Sequence, residues 1–330
     1  MVRFAVIGSN FIADRFLEAA KQCDEFTLTG YYSRVKTRAQ EYAEKNGAPL
    51  AFDNLEELAQ CKEIDAVYIA SPTSLHYDHA MQMLNAKKHV LCEKPIASNS
   101  SELAAMLAAA KENNVVLLEA MRPLFSPGFS VIRDNLHKLG MLRRATLNYC
   151  QYSSRYDKFK MGIVQNAFNP ALSNGALMDI GVYCVHMLVA LFGMPQKISA
   201  ASVGLKDSID GEGTIISQYD DMLAELIYSK ITNSGNSSEI QGENGCMHIK
   251  MLSIPQDVKI IYNSGEEEML PIESQPHDMV YELREFIRLT AAPQQAERYN
   301  HCSQMAMHLM DEARRQTNIV FPADSKSSKL

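Results

Sequence analysis

The 330-residue chain has no Cys-x-x-Cys pair: its seven cysteines, Cys23, Cys61, Cys92, Cys150, Cys184, Cys246 and Cys302, stand singly and are odd in number. Neither a disulfide framework nor a metal site is signalled, and a reducing compartment is expected. The apolar run nearest the start, Phe4-Ala5-Val6-Ile7 after the charged Arg3, is too brief for a signal-peptide core or a membrane span. Positive charge is in deficit. Lys+Arg 32 against Asp+Glu 39 leaves a net charge of -7, which disfavours nucleic acid and anionic membrane surfaces as partners. Internal repeats, low-complexity tracts and long linkers are also missing. What is present is an ordinary soluble composition, 46% hydrophobic and 22% charged, and at roughly 150 residues per domain the length predicts two domains. The C-terminal Ser328-Lys329-Leu330 would be a peroxisomal address in a eukaryote; it is read here as a polar tail on a cytoplasmic protein.

The first third alternates short β-branched runs with amphipathic helical patterns, the rhythm of a parallel sheet with crossover helices. Strands are expected at Arg3 to Ile7, Phe26 to Tyr32, Ala66 to Ala70, His89 to Cys92 and Val115 to Leu118. Helices are expected at Ile12 to Gln22, Lys36 to Lys45, His76 to Ala86 and Ser100 to Asn113. After about Arg122, Pro123, Pro127 and Gly128 punctuate the join. A helix from about Gly128 to Lys138, a strand at Thr146 to Ser153 and a helix at Leu177 to Leu191 follow. Strand patterns then include Met222 to Ile231, Cys246 to Lys250 and Val258 to Tyr262. Turn residues at Asp210-Gly211, Asp220-Asp221, Asn244-Gly245 and Ser264-Gly265 predict antiparallel neighbours. Glu266-Glu267-Glu268 reads as a solvated loop, and helices are expected at about Asp278 to Leu289 and His301 to Gln316.

The first strand runs into Gly8-Ser9-Asn10-Phe11-Ile12-Ala13 and then a helix, where a dinucleotide fold presents its glycine-rich turn. Gly8 and Ala13 fill the first and third small positions. Asn10 replaces the middle glycine, and because Asn tolerates a left-handed backbone the turn stays possible, nearer a steric limit. After the second strand stand Tyr32, Ser33, Arg34, Lys36 and Arg38, with no acid to take the ribose 2′-hydroxyl of NAD. A cationic site suits a 2′-phosphate, so NADP is expected, with NAD possible, and Arg34 and Arg38 are the phosphate candidates.

Ser71-Pro72-Thr73-Ser74-Leu75-His76, Glu93-Lys94-Pro95 and Asp179-Ile180-Gly181-Val182-Tyr183 follow in order. With the turn before them, the chain closely resembles the Gfo/Idh/MocA family of nicotinamide-dependent oxidoreductases, most of all the branch of glucose-fructose oxidoreductase and dimeric dihydrodiol dehydrogenase. The resemblance covers nearly the whole chain. It implies an α/β protein: a Rossmann dinucleotide-binding domain over residues 1–122, and a substrate-binding and oligomerisation domain over 123–296 with an open, predominantly antiparallel sheet. A last helix, about 297–330, is expected to pack back on the first domain. The nicotinamide is expected between the domains. The resemblance places Ser71, Pro72, Thr73, Leu75 and His76 along the cofactor, Glu93 at the cofactor, and Lys94 at both cofactor and substrate. Glu119-Ala120-Met121-Arg122 resembles the branch's Glu-Ala-x-Trp, with Arg122 departing from the aromatic residue; Glu119 and Arg122 are expected near the cofactor. Association as a homodimer or homotetramer through the second domain's sheet is also implied.

In a regular helix over Leu177 to Leu191, residues four and seven apart share a face, so Asp179, Tyr183 and His186 would line up. His186 is read as a packing residue. The resemblance makes Tyr183 the acid/base and Asp179 a supporting carboxylate. Hydride transfer asks the protein mainly for positioning, whereas the proton on the substrate oxygen needs a side chain. A free tyrosine titrates near ~10, so Lys94 is expected to favour the phenolate and to offset Asp179. Cys184 has no catalytic part. Arg155, Tyr156, Asn166 and Phe168, in loops before the Asp179 helix, are expected substrate contacts. The leading function is an NADP-dependent reductase or dehydrogenase of a sugar, polyol or related cyclic compound, without a metal. The alternative is a catalytically silent dinucleotide-binding sensor of the same family.

Overall fold

The computed structural model describes residues 1–327, and the C-terminal Ser328-Lys329-Leu330 lies outside them. Two compact units are present. The first comprises Met1–Ala120 with Gln275–Gln304, and the second comprises Met121–Ser274 with the chain from Met305 onward. The sequence puts the return to the first unit at about residue 297; it starts at 275, and the chain leaves again at 305.

In the first unit, β1 (Val2–Ile7), β2 (Phe26–Tyr32), β3 (Leu50–Phe52), β4 (Ala66–Ile69), β5 (His89–Glu93) and β6 (Leu117–Ala120) form one sheet in the order β3-β2-β1-β4-β5-β6. Every pair is parallel. The helices are α1 (Phe11–Ala20), α2 (Lys36–Asn46), α3 (Leu55–Gln60), α4 (His76–Asn85) and α5 (Ser100–Glu112). Strands β4 and β6 are buried at every position, as uniform apolar runs require when helices cover both faces. Phe4 packs against Phe16, Phe26 and Phe286 with centroids 6.4, 4.8 and 5.7 Å away, and each of the fully buried rings, Phe4, Phe16 and Phe286, contributes roughly 1.5–3 kcal/mol. Strand β6 begins two residues beyond the expected start, which puts Glu119 inside it. The short β3 and α3 were not expected from the sequence.

The strand order reverses between β1 and β4, and open α/β sheets bind ligands at the carboxyl ends of the strands flanking that reversal. The segment after β1 starts with Gly8, and the one after β4 starts with Ala70 and Ser71. Two of the sequence motifs therefore meet at one crevice.

The second unit holds α6 (Pro127–Asn135), β7 (Leu142–Cys150), α7 (Tyr156–Lys160), α8 (Val182–Phe192), β8 (Lys197–Gly204), β9 (Asp210–Gln218), β10 (Leu223–Ser229), β11 (Ser238–Gly242), β12 (Gly245–Ile249), β13 (Val258–Tyr262) and β14 (Glu267–Leu270). Their sheet runs β14-β13-β12-β11-β7-β10-β9-β8. It is antiparallel except for the β7–β10 pair. Along β10, Ala224, Leu226 and Tyr228 are buried while Leu223, Glu225 and Ile227 face the other way, the period-2 pattern of a sheet with one face on a core. Residues 170–192 are apolar enough in composition to cross a membrane, yet most of them are buried inside the unit as a core segment.

Several expectations need correction here. Strand β7 starts at Leu142 and ends at Cys150, not at Ser153. Asp210 and Gly211 begin β9 rather than forming a turn, and Glu267 and Glu268 begin the edge strand β14 rather than a loop. Glu268 is held there by Lys138 and by the Tyr262 hydroxyl, which donates at 2.6 Å. Leu177 to Leu191 is not one regular helix. Leu177–Gly181 is a π-type turn in which the Val182 N–H reaches the Leu177 carbonyl, and α8 starts after it. Gly181 ends that turn because a Cβ there would lie 2.9 Å from Cγ of Tyr228.

After the second unit's sheet the chain returns as α9 (Met279–Thr290), which carries Phe286 into the first unit's core. It is joined to α1 by the Arg15–Asp278 ion pair at 2.9 Å, one residue before α9. The long α10 (Glu297–Thr317) is shared between the units.

Candidate active site

The turn after β1 is built on a close backbone crossing. Gly8 has φ +123°, and a Cβ there would lie 2.6 Å from the Ala70 carbonyl oxygen, so only glycine lets β1 pass β4 at this point. Asn10 is not left-handed, contrary to expectation; its φ of -136° and ψ of 173° are extended. It is the N-cap of α1. Its Oδ1 accepts from the Ile12 and Ala13 amides at 3.1 Å each, and its Nδ2 donates to the Ala70 carbonyl at 2.7 Å. The side chain thereby ties the two loops of the crevice together, a task a glycine could not perform. Phe11, 61% exposed, opens the helix.

After β2, Ser33 is half-buried and Arg34 and Arg38 are exposed. Arg38 donates to the Ser9 carbonyl at 2.9 Å, and the Tyr31 hydroxyl donates to the Gly8 carbonyl at 2.7 Å. Arg38 thus spends one of its five N–H donors bracing the turn.

The next two motifs brace each other. His76 is 1% exposed, with Nε2 2.8 Å from the Ser71 carbonyl and Nδ1 2.9 Å from the Pro95 carbonyl. Burial holds its pKa below the usual histidine value, against those two carbonyls, which pull the other way. His76 was expected along the cofactor; in the fold its ring is enclosed and joins one motif to the next. Ser71 Oγ lies 3.0 Å from His79 Nδ1, and burial pulls the His79 pKa down to about 4. Thr73 is buried; Pro72 and Leu75 are half-buried.

Glu93 and Glu119 are buried too. Glu93 accepts from the Tyr68 hydroxyl at 2.6 Å, while Glu119 accepts from the Ile96 amide at 3.1 Å and the Ser303 hydroxyl at 2.5 Å. Both were expected at the cofactor; in the fold they anchor the loop that presents half-buried Lys94.

In the second unit, the Lys230 ammonium lies 2.8 Å from Oδ2 of Asp179. Sequence reading missed Lys230 and expected Lys94 to offset that carboxylate. Tyr183, on the first turn of α8, accepts a hydrogen bond from Arg122 Nη2 at 3.1 Å, with the guanidinium carbon 6.0 Å from the ring centroid. Tyr149 packs edge-on at 5.5 Å. Arg122, expected near the cofactor, is thus a partner of the proposed acid/base. Tyr183 and His186 lie three apart within α8, but the π-type turn takes Asp179 out of the regular helical register assumed above. Cys184 is fully buried, and burial pushes its thiol pKa far up.

Of the expected substrate contacts, Phe168 is 0% exposed and belongs to a core cluster with Phe159, Ala167 and Ile209. It was expected to touch substrate; in the fold it packs in this cluster beneath the Lys230 ammonium. Tyr156 stacks at its edge, 5.7 Å from Phe168; Arg155 and Tyr156 are half-buried and Asn166 is exposed. Pairing of β11 with β12 also sets Glu239 opposite His248 beside Cys246, a cluster with metal-ligand spacing invisible in the linear sequence. His248 pairs with Glu239 at 3.3 Å, and burial with Glu239 pushes the Cys246 thiol up to about 11.

Two family models match the chain: an oxidoreductase family with an NAD-binding Rossmann fold over residues 2–121, and the GFO/IDH/MocA C-terminal domain over residues 136–248. The scyllo-inositol 2-dehydrogenase (NADP(+)) IolU of Bacillus subtilis (strain 168) is 48% identical, covering 98% of this chain and 99% of that protein. Trans-1,2-dihydrobenzene-1,2-diol dehydrogenase of Danio rerio is 28% identical over the same shares. The crystal structure of KijD10, a 3-ketoreductase from Actinomadura kijaniata in complex with NADP and TDP-benzene, has a TM-score of 0.86 at 22% identity, covering 96% of this chain and 98% of that one. That likeness shows the fold.

Proposed function

The chain belongs to the Gfo/Idh/MocA family of oxidoreductases, and from that premise we propose that it interconverts a ring alcohol and a ketone of a cyclic polyol or sugar, with Tyr183 as acid/base. It is an NADP-dependent enzyme of the sugar and polyol type, as the full-length similarity to an NADP-dependent inositol dehydrogenase supports; the silent-sensor alternative is dropped.

The residues present fit the cofactor. The glycine crossing leaves the start of α1 facing the crevice, where its first amides have no intrahelical acceptor; Asn10 caps two of them, and the Phe11 amide is the candidate phosphate donor. Exposed Arg34, at the end of β2, suits a 2′-phosphate. When bound, the nicotinamide supplies or receives the hydride.

The observation that carries the proposed mechanism is the Arg122–Tyr183 hydrogen bond. Arg122 donates into the phenol oxygen, and we assign to that hydroxyl the proton that a substrate oxygen takes up. Tyr183 then donates it as a ketone is reduced and takes it back as an alcohol is oxidised. The negative charge left on the phenol oxygen is met by a charge-assisted hydrogen bond. Asp179 accepts from a neighbouring substrate hydroxyl and orients the ring, and Lys94 is assigned to the reacting oxygen by family resemblance. We place the protein in the cytoplasm, where its seven free thiols fit a reducing milieu, and assign homo-oligomer contact to the sheet face bearing Ile216, Leu223 and Ile227.

Tyr183→Phe tests the reading. It should lower kcat for NADP-linked oxidation of inositols roughly 100- to 10,000-fold, the usual worth of a general acid/base, with NADPH affinity unchanged. A Phe variant with wild-type kcat would remove Tyr183 from the mechanism.

A further inference from the structure

Lys230 is a buried cation that the mechanism above does not use. Its side chain is 3% exposed, and lysines are almost never enclosed this far unless paired. Its backbone is pinned on both sides: its amide donates to the Gly211 carbonyl at 2.9 Å, and its carbonyl accepts from the Ser153 amide at 2.8 Å. The ammonium has three kinds of neighbour. It meets Asp179 Oδ2 at 2.8 Å, donates to the Ala167 carbonyl at 2.5 Å, and lies 4.7 Å from the centroid of the Phe168 ring. One rigidly held charge therefore ties a carboxylate in the π-type turn to the turn that carries Asn166. Asp179 keeps 32% of its side chain exposed, so the buried end of the pair is the lysine and the accessible end is the acid.

We propose that Lys230 is the positioning residue of the site, holding Asp179 ionised and oriented toward substrate while fixing the Asn166–Phe168 turn beside it. This rests on the reading of Asp179 as a substrate-binding carboxylate. The ammonium suits the task. It satisfies an anion on one side and a carbonyl on the other, while the Phe168 face and the surrounding apolar residues exclude water and leave the attraction little screened. Removing the lysine alone strands a partly buried carboxylate, whereas removing both charges does not.

The test uses the full chain with Lys230→Met, Lys230→Gln, Asp179→Asn and the Asp179→Asn/Lys230→Met pair, reading kcat, polyol KM, NADPH Kd by fluorescence and Tm. Lys230→Met is expected to lower kcat about 10- to 100-fold, the range seen when the group behind a functional ligand is removed at metal sites, with NADPH Kd within about twofold. Lys230→Gln can still donate to the Ala167 carbonyl but carries no charge, and is expected to be equally impaired. Because Lys230 acts through Asp179, the double variant should show the kcat of Asp179→Asn alone and a higher Tm than Lys230→Met. Wild-type kcat in Lys230→Met or Lys230→Gln overturns the inference, as does a double variant that loses the product of the single losses. If Lys230→Met does not fold, comparing Asp179→Asn with the double variant still decides. Wild-type kcat in Asp179→Asn would refute the role of Asp179 itself, a separate outcome because that variant retains Lys230.

Discussion

Replacing Arg122 with Leu separates two roles for this residue: the cofactor contact expected from its motif, and the tyrosine partner seen in the fold. The guanidinium donates to the Tyr183 oxygen at 3.1 Å, and both side chains are at least half-buried. A hydrogen bond to a charged group contributes about 1.5–3 kcal/mol. If the bond is made mainly where the phenol oxygen carries negative charge, that energy is lost from the transition state. At 1.36 kcal/mol per factor of ten, kcat should fall roughly 10- to 150-fold. Leu keeps part of the aliphatic packing of the arginine stem, so the loss reports charge more than volume. The assay is steady-state oxidation of an inositol panel with NADP, paired with NADPH Kd by fluorescence. Arg122→Lys should recover part of the rate, since an ammonium still provides a donor and a charge without the planar fork. A Leu variant with unchanged kcat but a tenfold weaker NADPH Kd would refute the tyrosine-partner reasoning and return Arg122 to the cofactor.

Arg34→Asp should lower the ratio of kcat/KM for NADP over NAD by at least about tenfold, because a carboxylate repels the 2′-phosphate and accepts from the 2′-hydroxyl; an unchanged ratio removes Arg34 from recognition. Stability should depend on pH through His79. Burial lowers its folded pKa to about 4 from the ordinary 6.5, so the unfolded chain binds the proton more tightly. Its contribution is fully present above pH 6.5 and is lost as pH falls toward 4, at roughly 1.4 kcal/mol per unit. His79→Gln should flatten the Tm–pH curve in that window, and an equal slope in both proteins would show that other groups set it.

The parallel sheet was legible because uniform apolar runs separated by amphipathic helices have few other readings. Strand β3 was not, since three residues carry too little pattern. In the second unit, turn dipeptides found the Asn244-Gly245 hairpin but misled at Asp210-Gly211, where Asp210 is drawn into the core as its Oδ2 accepts the Leu177 amide at 2.7 Å. Strand β8 escaped notice because its Ser-Ala-Ala-Ser-Val-Gly run shows no strong alternation. Asn10 was read for its backbone tolerance when its position directly before a helix already marked an N-cap. Lys230 had no local signal, and the motif that marked Arg122 did not reveal its tyrosine partner: the partners of both are distant in sequence, and only the packing of β10 and of the segment after β6 against the α8 region brings them close.

That contrast explains which motif residues turned out to brace the site. A side chain that meets substrate needs an open side, and an open side is wet and mobile; its geometry must be set by a neighbour that is neither. Glu93, Glu119 and His76 do this beneath the Lys94 loop, through hydrogen bonds of 2.5 to 3.1 Å among buried groups. Lys230 does it beneath Asp179. Such braces cannot be exchanged for apolar residues as long as the group they hold is charged, because a lone partner would be left desolvated. A sequence motif at this site therefore mixes residues with an open side and buried residues that hold them in place, and burial in the fold separates the two.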